Sequence, residues 1–294
     1  MTTPSTASGR MQPSLWAQIR GLVQASHPFP IAMVIALTAL VGLASARAEV
    51  DSVRLAAAVA AMLFSQLAIG WSNDYLDRGH DAVYQPDKPV PSGLVAASLL
   101  LILAPLSVVL SLAFAVALGA TVTAWLVAGT ACGLGYDVAF KNTRLSWLPY
   151  VVAFAVLPPF VWTATESYRS AFLWLYPLCA PLAVAAHLAN SLPDIEGDTA
   201  AQDGGVTMRL GRQRAIALLY ACLLAPGVLI VASTAWLAYD TPWLAATLLA
   251  FLGLTAAAVP AYWSKPFRRG AAVGFRIIAP ASVLLAAGWL AAIR

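Results

Sequence analysis

Long apolar runs alternate along the chain with short polar loops. Nine runs are long enough to cross a ~30 Å hydrocarbon core as helices: about 29–47, 54–73, 94–114, 116–135, 146–164, 171–190, 214–236, 243–262 and 273–292. The third and fourth are nearly continuous, which requires a tight turn at Gly119 and its neighbours. Pro105, Pro158, Pro159, Pro181 and Pro226 lie inside runs, where bilayer helices tolerate proline and bend around a cavity. The pattern predicts an all-α polytopic membrane protein, its nine transmembrane helices bundled around a central cavity. Polar loops follow every second run, so the bundle reads as two four-helix repeats closed by a ninth helix, with any substrate site between the halves. Residues 1–26 are polar, with no evident signal peptide, and read as a mobile cytoplasmic segment with a short amphipathic stretch near 14–24. Residues 27–294 read as one domain.

Composition agrees with this picture, since 61% of residues are hydrophobic and only 10% charged. Lys and Arg set the orientation. With the N-terminus in the cytoplasm, thirteen of the 17 Lys and Arg fall on the cytoplasmic side, leaving Arg47, Arg54, Arg169 and Arg294 across the membrane. The reading is an integral protein of a bacterial cell membrane, with its polar site facing the cytoplasm. The net charge of +4 therefore reports topology and an anionic ligand, and does not point to nucleic acid; Arg10, Arg144 and Arg214 are read as topological. Cys132, Cys179 and Cys222 all lie in apolar runs without CxxC pairing, as packing residues.

The acidic residues are concentrated: stretches 74–87 and 194–203 hold eight of the 13. They carry one pattern twice, Asn-x-x-x-Asp-x-x-x-Asp, as Asn73, Asp77 and Asp81 in NDYLDRGHD and as Asn190, Asp194 and Asp198 in NSLPDIEGD. A spacing of four stacks side chains on one helix face. Carboxylates at a bilayer are costly unless neutralised, so two such stripes imply a cation. Oxygen ligands with incomplete protein coordination describe Mg²⁺ sites finished by phosphate oxygens. Asp74 stands one step round from Asn73 as a further ligand, with Asp87 and Asp203 in the loops beyond. Pro193 is placed to break the second motif's helix and turn Asp194 inward.

Cations follow each motif: Lys88 after the first, Arg209 and Arg212 after the second. They suit the far oxygens of a diphosphate. In the loop YDVAFKNTR, Lys141 reaches phosphate and Tyr136 can face a cationic intermediate with its ring. His187 lies two turns before Asp194, as a pocket residue or a packed intramembrane histidine. His27 and His80 carry no assignment. Trp71 and Trp162 are candidates for shaping an apolar tunnel.

NDYLDRGHDAVYQPDKPVPSG resembles the first aspartate-rich signature of the UbiA superfamily of intramembrane prenyltransferases. DIEGDTAAQDGGVTMRLG resembles the second, and YDVAFK stands where that family keeps its Tyr and Lys. The resemblance spans residues 25–294 in order and spacing. It implies a Mg²⁺-dependent enzyme with a cavity open sideways to lipid. Asn73, Asp77, Asp81, Asp194 and Asp198 would hold metal, Lys88, Lys141 and Arg209 the diphosphate of a polyprenyl donor, and Tyr136 would sit by the allylic carbon. The prenyl group would pass to a hydrophobic, aromatic or other acceptor. The sequence departs from the pattern at Lys88, where Arg is commoner, at Gln202–Gly205, and at ASHPFP, which lacks the arginine that carboxylated aromatic acceptors often need.

A terpene cyclase of the same superfamily, whose cation is attacked by the donor's own double bond, stays open at this stage. A cation-coupled transporter would hold its carboxylates mid-helix and leave the loop lysines unused. A CDP-alcohol phosphotransferase would carry a DGxxAR-type signature, which is absent.

Overall fold

The computed structural model describes residues 14–46 and 50–294; Arg10 and Arg47 lie outside them. The helices are α1 (Leu15–Ala25), α2 (Pro28–Ser45), α3 (Ser52–Tyr84), α4 (Ala97–Leu118), α5 (Ala120–Gly135), α6 (Leu148–Thr165), α7 (Leu175–Ser191), α8 (Ile195–Ala200), α9 (Val206–Ser233), α10 (Thr241–Ala257) and α11 (Phe267–Ala292). Among the described residues, nine helical stretches are long and apolar enough to cross a membrane. The second span runs past its expected apolar limit, continuing as one helix to Tyr84, and so carries the whole first acidic motif. A leading segment of α9 from Val206 breaks at Gly211 (φ +72°), and the helix beyond it starts close to the expected residue 214.

The spans pack mostly as sequence neighbours: α3 along α4, α5 along α6, α7 along α9, α10 along α11. The last span lies against the first, α11 on α2, and the bundle closes. Gly119, at φ +119° between α4 and α5, makes the turn that the run-on apolar sequence demanded. The interior is filled by large apolar residues such as Phe160, Phe172, Phe251 and Trp289. Leu101, Ile102, Val116, Val228 and Leu249 point outward instead, an arrangement that a hydrocarbon surround makes favourable. Some hydroxyls inside the spans pair with a neighbouring helix: Ser65 and Thr130 share a 2.7 Å hydrogen bond, and Ser111 donates to the Ala61 carbonyl at 2.7 Å.

The mobile segment expected over 1–26 divides into two parts. Residues 1–13 lie outside the described residues, whereas Ser14 caps a helix by accepting from the Ala17 N–H at 3.2 Å. This helix, α1, buries Gly21 and Ala25 and leaves Leu15 and Trp16 exposed. Trp71 of α3 donates its indole N–H to the Leu22 carbonyl at 3.1 Å, and Gly70 lets α3 pass directly against the Ser26 carbonyl. The chain then turns into α2 through His27, in the left-handed region at φ +58°.

Polar chemistry divides between the two ends of the bundle. One end gathers the first motif, the 136–146 segment, the second motif and Arg268. At the other, Arg54 donates to the Ala164 carbonyl at 2.6 Å, and Arg294 pairs with Asp240 at 3.3 Å.

Candidate active site

A cavity of about 470 Å³ opens at the motif end and runs inward between α2, α3, α5, α6, α7 and α11. Its deep wall is apolar, with Val41, Met62, Leu126, Leu157, Phe160 and Leu175. Its mouth is lined by Asp77, Asp81, Asp194, Asp198, Lys88 and Lys141.

Because α3 stays helical to Tyr84, Asn73, Asp77 and Asp81 form a stripe along the cavity wall. Asp74, expected as a metal ligand, is not on that stripe. One residue is about 100° of helix rotation, and this carries Asp74 to the joint between α1 and α2. There it is buried, with His27 Nε2 2.9 Å and Lys88 Nζ 3.5 Å from its Oδ1. Asp87 is exposed in the loop.

Two lysines oppose the stripe. Lys88 donates to Asp81 Oδ2 at 2.8 Å, and Lys141 donates to Asp77. Burial alone would lower both lysine pKa values, but the facing carboxylates outweigh it and hold both ammonium groups above the usual lysine range. Both therefore remain cationic at neutral pH. Lys141 is delivered by a π-turn, Tyr136–Phe140, in which the Lys141 N–H bonds the Tyr136 carbonyl at 2.8 Å. The same turn presents Asp137, whose Oδ1 accepts from Asn73 Nδ2 at 2.8 Å. Asp137 was missed in the sequence although it stands inside YDVAFK; its spacing of four from Lys141 was the available signal.

The second motif does not repeat the first motif's geometry. A single 3₁₀ turn, Leu192–Asp194, interrupts the helix at Pro193, and Asp198 sits on the short α8. Pro193 supplies the break its position predicted. Asn190 donates to the Tyr150 hydroxyl at 3.0 Å, and Asp194 pairs with Arg268 at 3.6 Å. Asn190, Asp194 and Asp198 nevertheless all line the cavity. Arg268 also donates to Gln85 Oε1 at 2.7 Å, bridging the end of α3 to the second motif. The sequence reading gave Arg268 no role beyond topology, although the polar loop YWSKPFRRG marked the place.

Tyr136, Tyr150 and His187 stack edge to face, with ring centroids 5.0–6.1 Å apart. All three line the cavity, and Ser146 Oγ lies 3.1 Å from His187 Nε2.

Four of the predicted residues stand apart from the cavity lining. Arg209 is exposed and donates to the Gly204 carbonyl at 2.7 Å. Arg212 lies over the Phe267 ring, 3.8 Å from its centroid, and donates to the Tyr262 carbonyl at 3.4 Å. Neither arginine lines the cavity, although Val206, Thr207 and Met208 just before them do. Trp71 is held by α1, and Trp162 is buried with its indole N–H on Ser45 Oγ at 2.8 Å, so neither shapes the tunnel.

Such a site can hold cations and an anion at its mouth and a hydrocarbon chain in its depth. The sequence model of the UbiA prenyltransferase family matches residues 35–279. A digeranylgeranylglyceryl phosphate synthase from Methanopyrus kandleri is 30% identical over 218 residues, covering 68% of this chain and 76% of the relative. A UbiA homologue from Archaeoglobus fulgidus, solved with GPP and Mg²⁺, superposes with a TM-score of 0.72 over 92% of this chain and 99% of that one, at 15% identity. A UbiA homologue from Aeropyrum pernix gives 0.67 over 88% and 96%, at 18% identity. The two solved structures share the fold, and the family match extends through both acidic motifs: the chain belongs to the UbiA prenyltransferase family.

Proposed function

We propose that this integral membrane protein transfers a prenyl group from its allylic diphosphate to a hydrophobic acceptor, at the cytoplasmic face of a cell membrane. The observation that carries this reading is the cavity's two-ended chemistry. Carboxylates and lysines crowd the mouth, and the wall beyond them is hydrocarbon. A prenyl diphosphate has the same division along its own length.

The mouth fits Mg²⁺. Asn73, Asp77 and Asp81 on one wall and Asn190, Asp194 and Asp198 on the other offer oxygen donors, the type Mg²⁺ takes together with phosphate oxygens. Bound there, Mg²⁺ would neutralise charge on the departing diphosphate. The relative solved with GPP and Mg²⁺ supports this choice of ion and donor class.

The chain's own residues supply the rest. Lys88 and Lys141 face the diphosphate as its allylic C1–O bond breaks and the electron pair leaves with oxygen. Tyr136 and Tyr150 present aromatic faces to the allylic cation. The apolar wall keeps out water that would quench it. The acceptor's electron pair then bonds to C1, and the acceptor loses a proton. The relatives' name makes a prenylglyceryl phosphate the first acceptor to try and phenols the second.

The test is purified protein in lipid with Mg²⁺ and geranyl, farnesyl or geranylgeranyl diphosphate, with and without each acceptor class, read by mass spectrometry. A conjugate formed only with acceptor establishes transfer. A terpene hydrocarbon or alcohol formed without acceptor replaces the reading with cyclisation. Failure to consume any donor overturns both.

A further inference from the structure

We propose that His80, Asp198 and Asp203 form a site for a divalent transition-metal ion, so that one of the ion positions at the cavity mouth has mixed nitrogen and oxygen ligation. The inference deepens the function proposed above, on which it rests through Asp198.

Neither His80 nor Asp203 belongs to the repeated Asn-x-x-x-Asp-x-x-x-Asp pattern. His80 projects from α3 between Asp77 and Asp81, and Asp203 comes from the loop between α8 and α9. The fold brings them together with Asp198 so that one ligand atom from each lies within 4.8 Å of the others. Among the described residues this is the one group of three His, Cys, Asp or Glu with that convergence.

The imidazole is placed as a ligand. His80 Nε2 is buried and makes no hydrogen bond, yet it faces Asp203 Oδ2 at 3.5 Å. Adjacent ligands each ~2.1 Å from an ion stand ~3.0 Å apart in an octahedral site and ~3.4 Å apart in a tetrahedral one. On its other edge, His80 Nδ1 lies 3.8 Å from Asp81 Oδ1, beyond hydrogen-bond range. The ring also packs on Tyr84, centroids 4.7 Å apart. Imidazole is a ligand for first-row transition ions, whereas Mg²⁺ takes oxygen. This position therefore favours a first-row transition ion, for which Mn²⁺ is the spectroscopic probe, over Mg²⁺, and the all-oxygen stripe of Asn73, Asp77 and Asp81 does not.

The probe is Mn²⁺ alone, added to protein lacking a polyhistidine tag and followed by electron paramagnetic resonance. Pulsed spectra should show ¹⁴N coupling to the bound ion, lost in His80→Ala and retained in His27→Ala. Mn²⁺ affinity should fall by about tenfold or more in His80→Ala and Asp203→Asn. Bound Mn²⁺ without nitrogen coupling, or coupling that survives in His80→Ala, overturns the site and leaves His80 and Asp203 as an ion-paired latch. If His80→Ala does not fold, the wild-type spectrum and the Asp203→Asn affinity decide. The result is independent of the prenyl-transfer assay with Mg²⁺, which can fail while the nitrogen coupling stands.

Discussion

The amide of Asn73 donates to Asp137 Oδ1 across 2.8 Å, tying the acidic stripe of α3 to the π-turn that carries Lys141. The bond orients Asn73's own carbonyl oxygen, a metal-ligand candidate, and fixes the turn from which Lys141 reaches Asp77. Asp137 is thus a positioning residue. Asp137→Ala is expected to lower turnover by about 10–100-fold, the range for losing an outer partner of a metal ligand, and to raise the Mg²⁺ concentration needed for half-maximal rate. Asp137→Asn, which keeps an acceptor oxygen, should recover much of both. An unchanged Mg²⁺ requirement in Asp137→Ala would confine the residue to packing.

Asp77 and Asp194 should each be indispensable to turnover but unequal in stability. Asp194 is 40% exposed, and its 3.6 Å pair with Arg268 contributes at most about 1 kcal/mol. Asp194→Ala should therefore melt close to wild type while its rate falls below about 1%. Asp77 is only 18% exposed and holds Lys141, so Asp77→Ala should lose rate and some melting temperature as well. Product formation and thermal melts in one detergent measure both. Full activity in Asp194→Ala would remove the second motif from the chemistry.

The apolar pattern made the nine spans legible, and the spacing of four marked Asn73, Asp77, Asp81, Asp194 and Asp198, which all line one cavity. Spacing along a helix defines a face, but not what packs there. That is why Asp74, adjacent to the ligand stripe in sequence, proved to belong to His27 and Lys88. Arg212 is a similar case, since proximity to the second motif gave no hint of the Phe267 ring beneath its guanidinium. The π-turn at 136–140 adds one residue to a helical repeat, a shift that no hydrophobic pattern records, and with it went the role of Asp137. Arg268 and Gln85 are 183 residues apart, and their contact depends on how the last span closes against the first.

Lys88 gives a pH-dependent test in the metal-free protein. Burial pulls its pKa down, but Asp74 and Asp81 pull it up further, and the net direction is upward from 10.5. A lysine whose folded pKa is raised contributes its full stabilisation below the unfolded pKa and loses it as pH climbs through the folded one. Wild type should therefore melt at a constant temperature from this contribution up to about pH 10 and weaken above it. Lys88→Met leaves the buried Asp74 and Asp81 without their shared cation and should cost about 3 kcal/mol at pH 8. The gap between the two proteins should narrow above pH 10.5. A gap that stays constant across that range would mean that Lys88 acts by packing alone.

Met62 sets up a test of how deep the donor reaches. It lines the cavity and is buried on α3, fifteen residues before Asp77, and at 1.5 Å per residue this is about 22 Å of helix. Val41 of α2, Leu157 of α6 and Leu175 of α7 line the same apolar part, so a longer side chain at 62 has little room to turn aside. Met62→Trp should fill this end and shorten the channel without touching the mouth. The prediction is a fall of about tenfold in kcat/KM for the longest donor that wild type accepts, with geranyl diphosphate nearly unaffected. One or two lost methylene contacts are worth about 1–3 kcal/mol of discrimination, which that ratio requires. A rate lowered equally for every donor would show that the chain leaves the cavity before reaching Met62.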